Sequence, residues 1–249
     1  MIEVKGIKKG FEGRTVLDDV SHRFEKGKVN LIIGGSGSGK TVLMKCLVGL
    51  FEVDKGSIEY DGRNFSELDF DGRKPIRREI GMLFQGGALF DSMTVLQNVM
   101  FPLTMLSDLT EEERIERANF CLQRVNLPSS NHLYPSEISG GMKKRVAIAR
   151  AIAMNPKYLY CDEPNSGLDP KTSIVIDELI MELTEEYQTT TVINTHDMNS
   201  VMTMGENILF IHKGKKWWTG NSDQILQSEN PELDSFIFAG KIMQKLRKN

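Results

Sequence analysis

The sequence predicts an α/β fold: a mostly parallel sheet covered on both faces, a small N-terminal sheet, and an inserted helical subdomain. Three observations predict it. Short apolar runs at 29–33, 158–161, 189–194 and 206–211 are spaced by helix-length segments. The first run stops at a Gly/Ser-rich loop and resumes as a helical pattern. Between about 93 and 155 the apolar period is helical, inside that alternation.

In chain order, residues 2–4 and 15–24 read as strands of the small sheet. VNLII (29–33), GGSGSGKT and TVLMKCLVGL give strand, glycine loop and helix. SIEY before Asp61-Gly62 reads as a strand and turn, and IGMLF (80–84) as a further strand. Thr110-Glu111-Glu112-Glu113 is a capping box, opening a helix that runs to about Asn126. A second helix begins after Ser139 and ends near Asn155-Pro156. YLYC (158–161), TTTVIN (189–194) and ENILFI (206–211) are strands, with a helix at about 172–187. Residues 1–220 form the main unit. The tail, 221–249, reads as two short helices around Asn230-Pro231 and closes on KIMQKLRKN, with four basic residues.

Composition excludes several classes. The 249 residues are 40% apolar and 26% charged, which rules out disorder and collagen-like repetition. The net charge is −3, so a general nucleic-acid coat is disfavoured. Three dispersed cysteines form neither a zinc-finger spacing nor a disulfide framework and fit a reducing compartment. MIEVKGIKKGF is charged and lacks the apolar core of a signal peptide. No stretch approaches the 18 or so uncharged apolar residues of a membrane span.

Gly34-Gly35-Ser36-Gly37-Ser38-Gly39-Lys40-Thr41 fits G-x-x-x-x-G-K-[ST]. Its glycines let backbone N–H groups turn inward around phosphate oxygens, and the helix start adds partial positive charge. Lys40 is expected to reach β- and γ-phosphates, and the Thr41 hydroxyl to hold Mg²⁺. Tyr158-Leu159-Tyr160-Cys161-Asp162-Glu163 is an apolar strand ending in two carboxylates. Alone it reads as a solvated strand end. Beside a phosphate loop, Asp162 can orient Mg²⁺ and Glu163 can polarise an attacking water. Ser139-Gly140-Gly141 starts the helix MKKRVAIARAIAM. In isolation it is an ordinary Ser N-cap. A second phosphate-binding turn makes sense if two copies face each other.

These motifs together resemble the nucleotide-binding subunit of an ABC transporter. GGSGSGKT resembles Walker A, YLYCDE Walker B, and ISGGM stands at the signature. Ser166-Gly167-Leu168-Asp169 resembles the D-loop, Asn194-Thr195-His196-Asp197 the switch histidine, and Phe84-Gln85 the Q-loop. The order and spacing cover residues 1–220. The resemblance implies a P-loop NTPase (RecA-like) core, an N-terminal antiparallel β subdomain, and ATP with Mg²⁺. It implies that Phe11 stacks on adenine, although a Phe there is more often core. Gln85 would be a metal ligand that senses the membrane partner, and His196 would contact the γ-phosphate. Asp169 would link two active sites across a homodimer. Each ATP would lie between one chain's loop and the other's Ser139-Gly140-Gly141. Met142 and Ile138 depart from the family's Gln and Leu, and Val42 replaces a second hydroxyl. The residues expected to touch phosphate and Mg²⁺ are intact.

ISGGM with KKRVAIARAIAMNP, residues 81–103, and NPELDSFIFAG resemble the ATPase of Mla/Mce-type lipid transporters more narrowly. That likeness implies polytopic permease subunits, an Mce-domain lipid-binding partner, and a peripheral place on the cytoplasmic face of the inner membrane. Met93, Val95, Met100, Phe101 and Met105 then suit a docking groove, or form the core of the helical subdomain. Two alternatives stay open: the ATPase of another importer, or a soluble iron–sulfur assembly ATPase. Long-armed repair ATPases do not fit, because only 99 positions separate Lys40 from Ser139.

Overall fold

The computed structural model describes residues 1–238. Two sheets organise the chain. The first is antiparallel, built from β1 (Ile2–Phe11), β2 (Arg14–Phe24), β4 (Lys55–Tyr60) and β5 (Arg63–Asn64), in the order β2-β1-β4-β5. The second contains β3 (Val29–Ile33), β6 (Ile80–Leu83), β7 (Tyr158–Asp162), β8 (Thr190–Asn194), β9 (Asn207–His212) and β10 (Lys215–Gly220). Its order is β10-β9-β3-β8-β7-β6, parallel except for β10.

The helices are α1 (Lys40–Leu47), α2 (Phe70–Arg78), α3 (Val95–Leu106), α4 (Glu111–Arg124), α5 (Gly140–Ile152) and α6 (Pro170–Tyr187). They are followed by α7 (Met198–Met204), α8 (Ser222–Ile225) and α9 (Pro231–Ile237). Thr110 and Glu113 form the expected reciprocal cap of α4. The Asn230-Pro231 turn opens α9, and the basic segment at the chain's end lies outside the described residues.

Period-2 geometry sends successive residues of the parallel strands to opposite faces of the sheet, and both faces are covered. Leu31, Ile33, Leu159, Cys161, Ile193, Ile208 and Phe210 face one core, shared with α3, α4, α5 and α6. Ile32, Tyr158, Tyr160, Val192, Leu209 and Ile211 face another, closed by α1 and the antiparallel sheet. Both faces are covered, so these strands lack the apolar–polar alternation of a half-exposed sheet, and their polar residues Asn30, Thr190, Thr191 and Asn194 are buried as well. Tyr60 of β4 and Tyr160 of β7 join the two sheets through a buried 2.6 Å hydroxyl contact, and Tyr60 donates to Leu47 O at 2.7 Å.

The helical region is continuous with the main core, because α5 packs on β6 as well as on α3 and α4. Val95 is buried and Met100 packs on this core, whereas Met105 is exposed and Phe101 lies against Phe90 at 4.7 Å between centroids.

Some elements carried no sequence signal. α2 is polar, contains Pro75, and buries only Arg73 and Ile76. β10 (KKWWTG) lies at the sheet edge with mostly exposed residues. It is joined to β9 by Lys213-Gly214, both at positive φ, as a two-residue hairpin turn requires.

Candidate functional site: a phosphate-loop cleft

β3 ends in a loop that only glycine can follow. Gly34 has φ 149°, and a Cβ there would lie 2.3 Å from Ile211 O. Gly39, at φ 110°, is the N-cap of α1, and its Cβ would collide with Leu17. The result is a tight turn with Gly35, Ser36 and Gly37 exposed and Ser38, Gly39 and Lys40 buried. Lys40 Nζ donates to Gly34 O at 2.8 Å and to Gly35 O at 3.2 Å. Burial lowers its pKa, and the negative charges of Glu163 and Asp162 oppose that shift. An ammonium held over a glycine loop is poised for a more negative partner.

The loop forms one wall of a cleft of about 1040 Å³. Gly34, Gly35, Ser36, Gly37, Lys40 and Thr41 line it, together with Gln85, Glu163 and His196. The parallel register brings these together: β7 and β8 pair as Asp162 with Asn194, so both strands end at the same level. Glu163 follows β7 and His196 follows β8. His196 Nδ1 lies 2.8 Å from Glu163 Oε2. Glu163 N donates to Asn194 O at 3.0 Å, and Asn194 Nδ2 donates to Asp162 Oδ1 at 3.0 Å. Glu163 itself has φ 51°, a left-handed conformation unusual for a residue with a side chain.

The Thr41 hydroxyl, the Gln85 amide and the Asp162 carboxylate are hard oxygen donors. They suit Mg²⁺, which takes few protein ligands and completes its shell with water and substrate phosphates. Among the described residues no group of three or more His, Cys, Asp and Glu forms an all-protein metal cage.

Other expected residues stand apart from the cleft. Phe11, at the end of β1, is partly exposed and packs edge-on against Phe51 at 5.2 Å. Ser139 N-caps α5, accepting from Met142 N at 3.2 Å, and its turn is solvent-exposed. Gly141 is pressed against Thr172, where a Cβ would come within 2.7 Å of the threonine methyl. Asp169 N-caps α6, accepting from Thr172 N at 3.1 Å. The Ser139 and Asp169 turns are therefore neighbours in one chain.

The cleft also has a wall that sequence reasoning missed. Phe210, His212, Glu232, Ser235, Phe236 and Ile237 line it. Phe236 of α9 packs on Phe210 at 5.6 Å, and Trp217 Nε1 donates to Glu232 Oε2 at 3.0 Å. The segment NPELDSFIFAG carries a family likeness but no sign of a place in the cleft; the return of the tail across β9 and β10 puts it here.

Comparisons with known proteins agree with this geometry. The ABC transporter family model matches residues 17–166. The chain is 36% identical over 241 residues to a probable ribonucleotide transport ATP-binding protein of Mycobacterium leprae, covering 97% of this chain and 70% of that protein. It is 37% identical over 238 residues to the glutamine transport ATP-binding protein GlnQ of Escherichia coli, covering 95% and 98%. The dimeric post-hydrolysis structure of the ATP-binding cassette MJ0796, bound to ADP and Pi, superposes with TM-score 0.81 at 33% identity, covering 89% and 99%. The chain therefore belongs to the ABC transporter family, as an ATP-binding subunit.

Proposed function

We propose that this ABC transporter ATPase powers the movement of phospholipid in an Mla/Mce-type system. ABC ATPases bind ATP with Mg²⁺ and hydrolyse it, and their cassettes dimerise and pair with transmembrane permease subunits. Among the described residues no helix is long and apolar enough to cross a membrane. A peripheral place on the cytoplasmic face of the membrane, against a permease, follows from this reading.

The observation that carries the chemistry is the 2.8 Å contact of His196 Nδ1 with Glu163 Oε2 in the cleft that holds Lys40. Glu163 acts as general base. It takes a proton from the water whose oxygen bonds to the γ-phosphorus as the bond to the bridging oxygen breaks. His196 orients the Glu163 carboxylate and faces the γ-phosphate. Lys40 and the backbone N–H groups of Gly35–Thr41 bind the phosphates. Mg²⁺, when bound at Thr41, Gln85 and Asp162, neutralises phosphate charge. Phe11 supplies an aromatic face for adenine. Ser139, Gly140 and Gly141 complete the site of a second copy, and Asp169 carries the signal between the two sites.

The lipid reading rests on the likeness of residues 81–103 and of the ISGGM helix to Mla/Mce ATPases. The relatives' names span ribonucleotide and glutamine transport, so another importer substrate is the second reading. The test is purification of a tagged Glu163→Gln chain from its native membrane in mild detergent with ATP. A polytopic permease, an Mce-domain protein and bound phospholipid are expected. A permease accompanied by a soluble amino-acid-binding protein would overturn the lipid reading. Soluble partners alone would overturn the transporter assignment.

A further inference from the structure

Lys144 is a buried cation that the motif-based account leaves without a task. It lies in the second turn of α5, five residues after Ser139, and is 4% exposed. Its Nζ donates to the backbone carbonyl of Glu163 at 3.3 Å. The charges of Asp162 and Glu163 act on it. Burying an ammonium is costly unless it is hydrogen-bonded or paired, and a methionine of similar length would pack there more cheaply. The compensating partner is the peptide of the residue that has the strained backbone.

The Glu163 backbone is held on both sides of its Cα: its N–H donates to Asn194 O at 3.0 Å, and its carbonyl accepts from Lys144 Nζ at 3.3 Å and from Ser166 N at 3.2 Å. Between them φ is 51°, which decides where the carboxylate points. Without the clamp a glutamate would relax toward the more populated right-handed or extended regions and turn its carboxylate away from His196. α5 also grips the Gln85 loop, because Arg150 donates to Ala88 O at 2.8 Å and Gly87 O at 2.7 Å. One rigid helix thus holds the Ser139 turn, the Gln85 loop and the Glu163 peptide.

We propose that Lys144 is a positioning residue for hydrolysis: its ammonium holds the Glu163 peptide in the left-handed conformation that keeps the carboxylate against His196. The proposal rests on the reading of Glu163 as general base. It predicts a defect in the chemical step and not in nucleotide binding, since Lys144 is not part of the cleft wall.

The test compares Lys144→Met, Lys144→Gln and Lys144→Arg with the parent chain, and Lys144→Met with and without Glu163→Gln. Steady-state ATPase rates, ATP titration, thermal unfolding and single-turnover rates are measured. Lys144→Met is expected to lower kcat by about 10²-fold, the scale of a misplaced catalytic group, with KM and ATP affinity within about twofold. Lys144→Arg, which keeps charge and donor, is expected to recover most of the rate, and Lys144→Gln, a shorter neutral donor, to fall between. Should Lys144→Met fail to fold, the Arg and Gln variants carry the comparison. In the Glu163→Gln background, Lys144→Met is expected to add no further loss. Wild-type kcat in a folded Lys144→Met chain would overturn the proposal while leaving Glu163 as base. So would an equal loss in both backgrounds, or loss of ATP affinity with kcat intact. A wild-type rate for Glu163→Gln would instead remove the base assignment, and the proposal with it.

Discussion

His196 Nδ1 and Glu163 Oε2 stand 2.8 Å apart, two residues past the end of β8 and one past the end of its neighbour β7. The contact is a product of sheet register. Asp162 pairs with Asn194, so the two loops that leave these strands meet over the phosphate loop. A carboxylate that is only 15% exposed, beside an imidazole that is 68% exposed, has its orientation fixed on one side and open access on the other.

Glu163→Gln removes the base while preserving shape. Hydrolysis is expected to fall by about 10²–10⁴-fold, with ATP binding retained. His196→Ala is expected to lower kcat in the same direction by freeing the carboxylate. Single-turnover hydrolysis and nucleotide titration on the same preparations check both. Turnover by Glu163→Gln at the parent rate would remove the general-base role.

Lys40→Ala deletes the cation that Gly34 O and Gly35 O hold over the loop. The expected outcome is loss of measurable ATP affinity, because the cation that meets the phosphates is gone. Calorimetric titration gives the answer; unchanged affinity would contradict a phosphate-binding Lys40.

Tyr60→Phe leaves Leu47 O and the Tyr160 hydroxyl without their shared buried partner. A cost of about 1–3 kcal/mol is expected, from stranding buried polar groups at the junction of the two sheets. Urea unfolding of the variant reads it. An unchanged midpoint would mean that the junction draws no stability from this pair.

His22 is half-buried and edge-on to Phe24, and partial desolvation of its ring depresses its pKa to about 4. The folded state therefore excludes a proton that the unfolded chain binds near pH 6.5. His22 imposes no penalty above pH 6.5. Stability falls as pH drops from 6.5 toward 4, by on the order of 2–3 kcal/mol. His22→Phe is expected to flatten that part of the profile. Urea midpoints for both proteins at pH 7.5 and 4.5 test it; parallel pH profiles would show that His22 is not the titrating group.

The sequence by itself determined what local chemistry encodes. Gly34, Gly39 and Lys40 announce a phosphate loop because few residues permit that backbone, and strands apolar on both faces announce a buried parallel sheet. Thr110 and Ser139 mark helix starts by the caps they form. α2 was hidden because it is polar with an internal proline, and β10 because an edge strand needs no apolar face.

Tertiary structure alone decided which distant residues share a space. Register put Glu163 against His196, and α5 carried Lys144 to the Glu163 carbonyl. It also set Phe11 edge-on to Phe51 and folded α9 back so that Phe236 reaches Phe210. Such relations come from how long elements pack, and no short window of residues contains them, whereas a loop's backbone demands are written within a few positions.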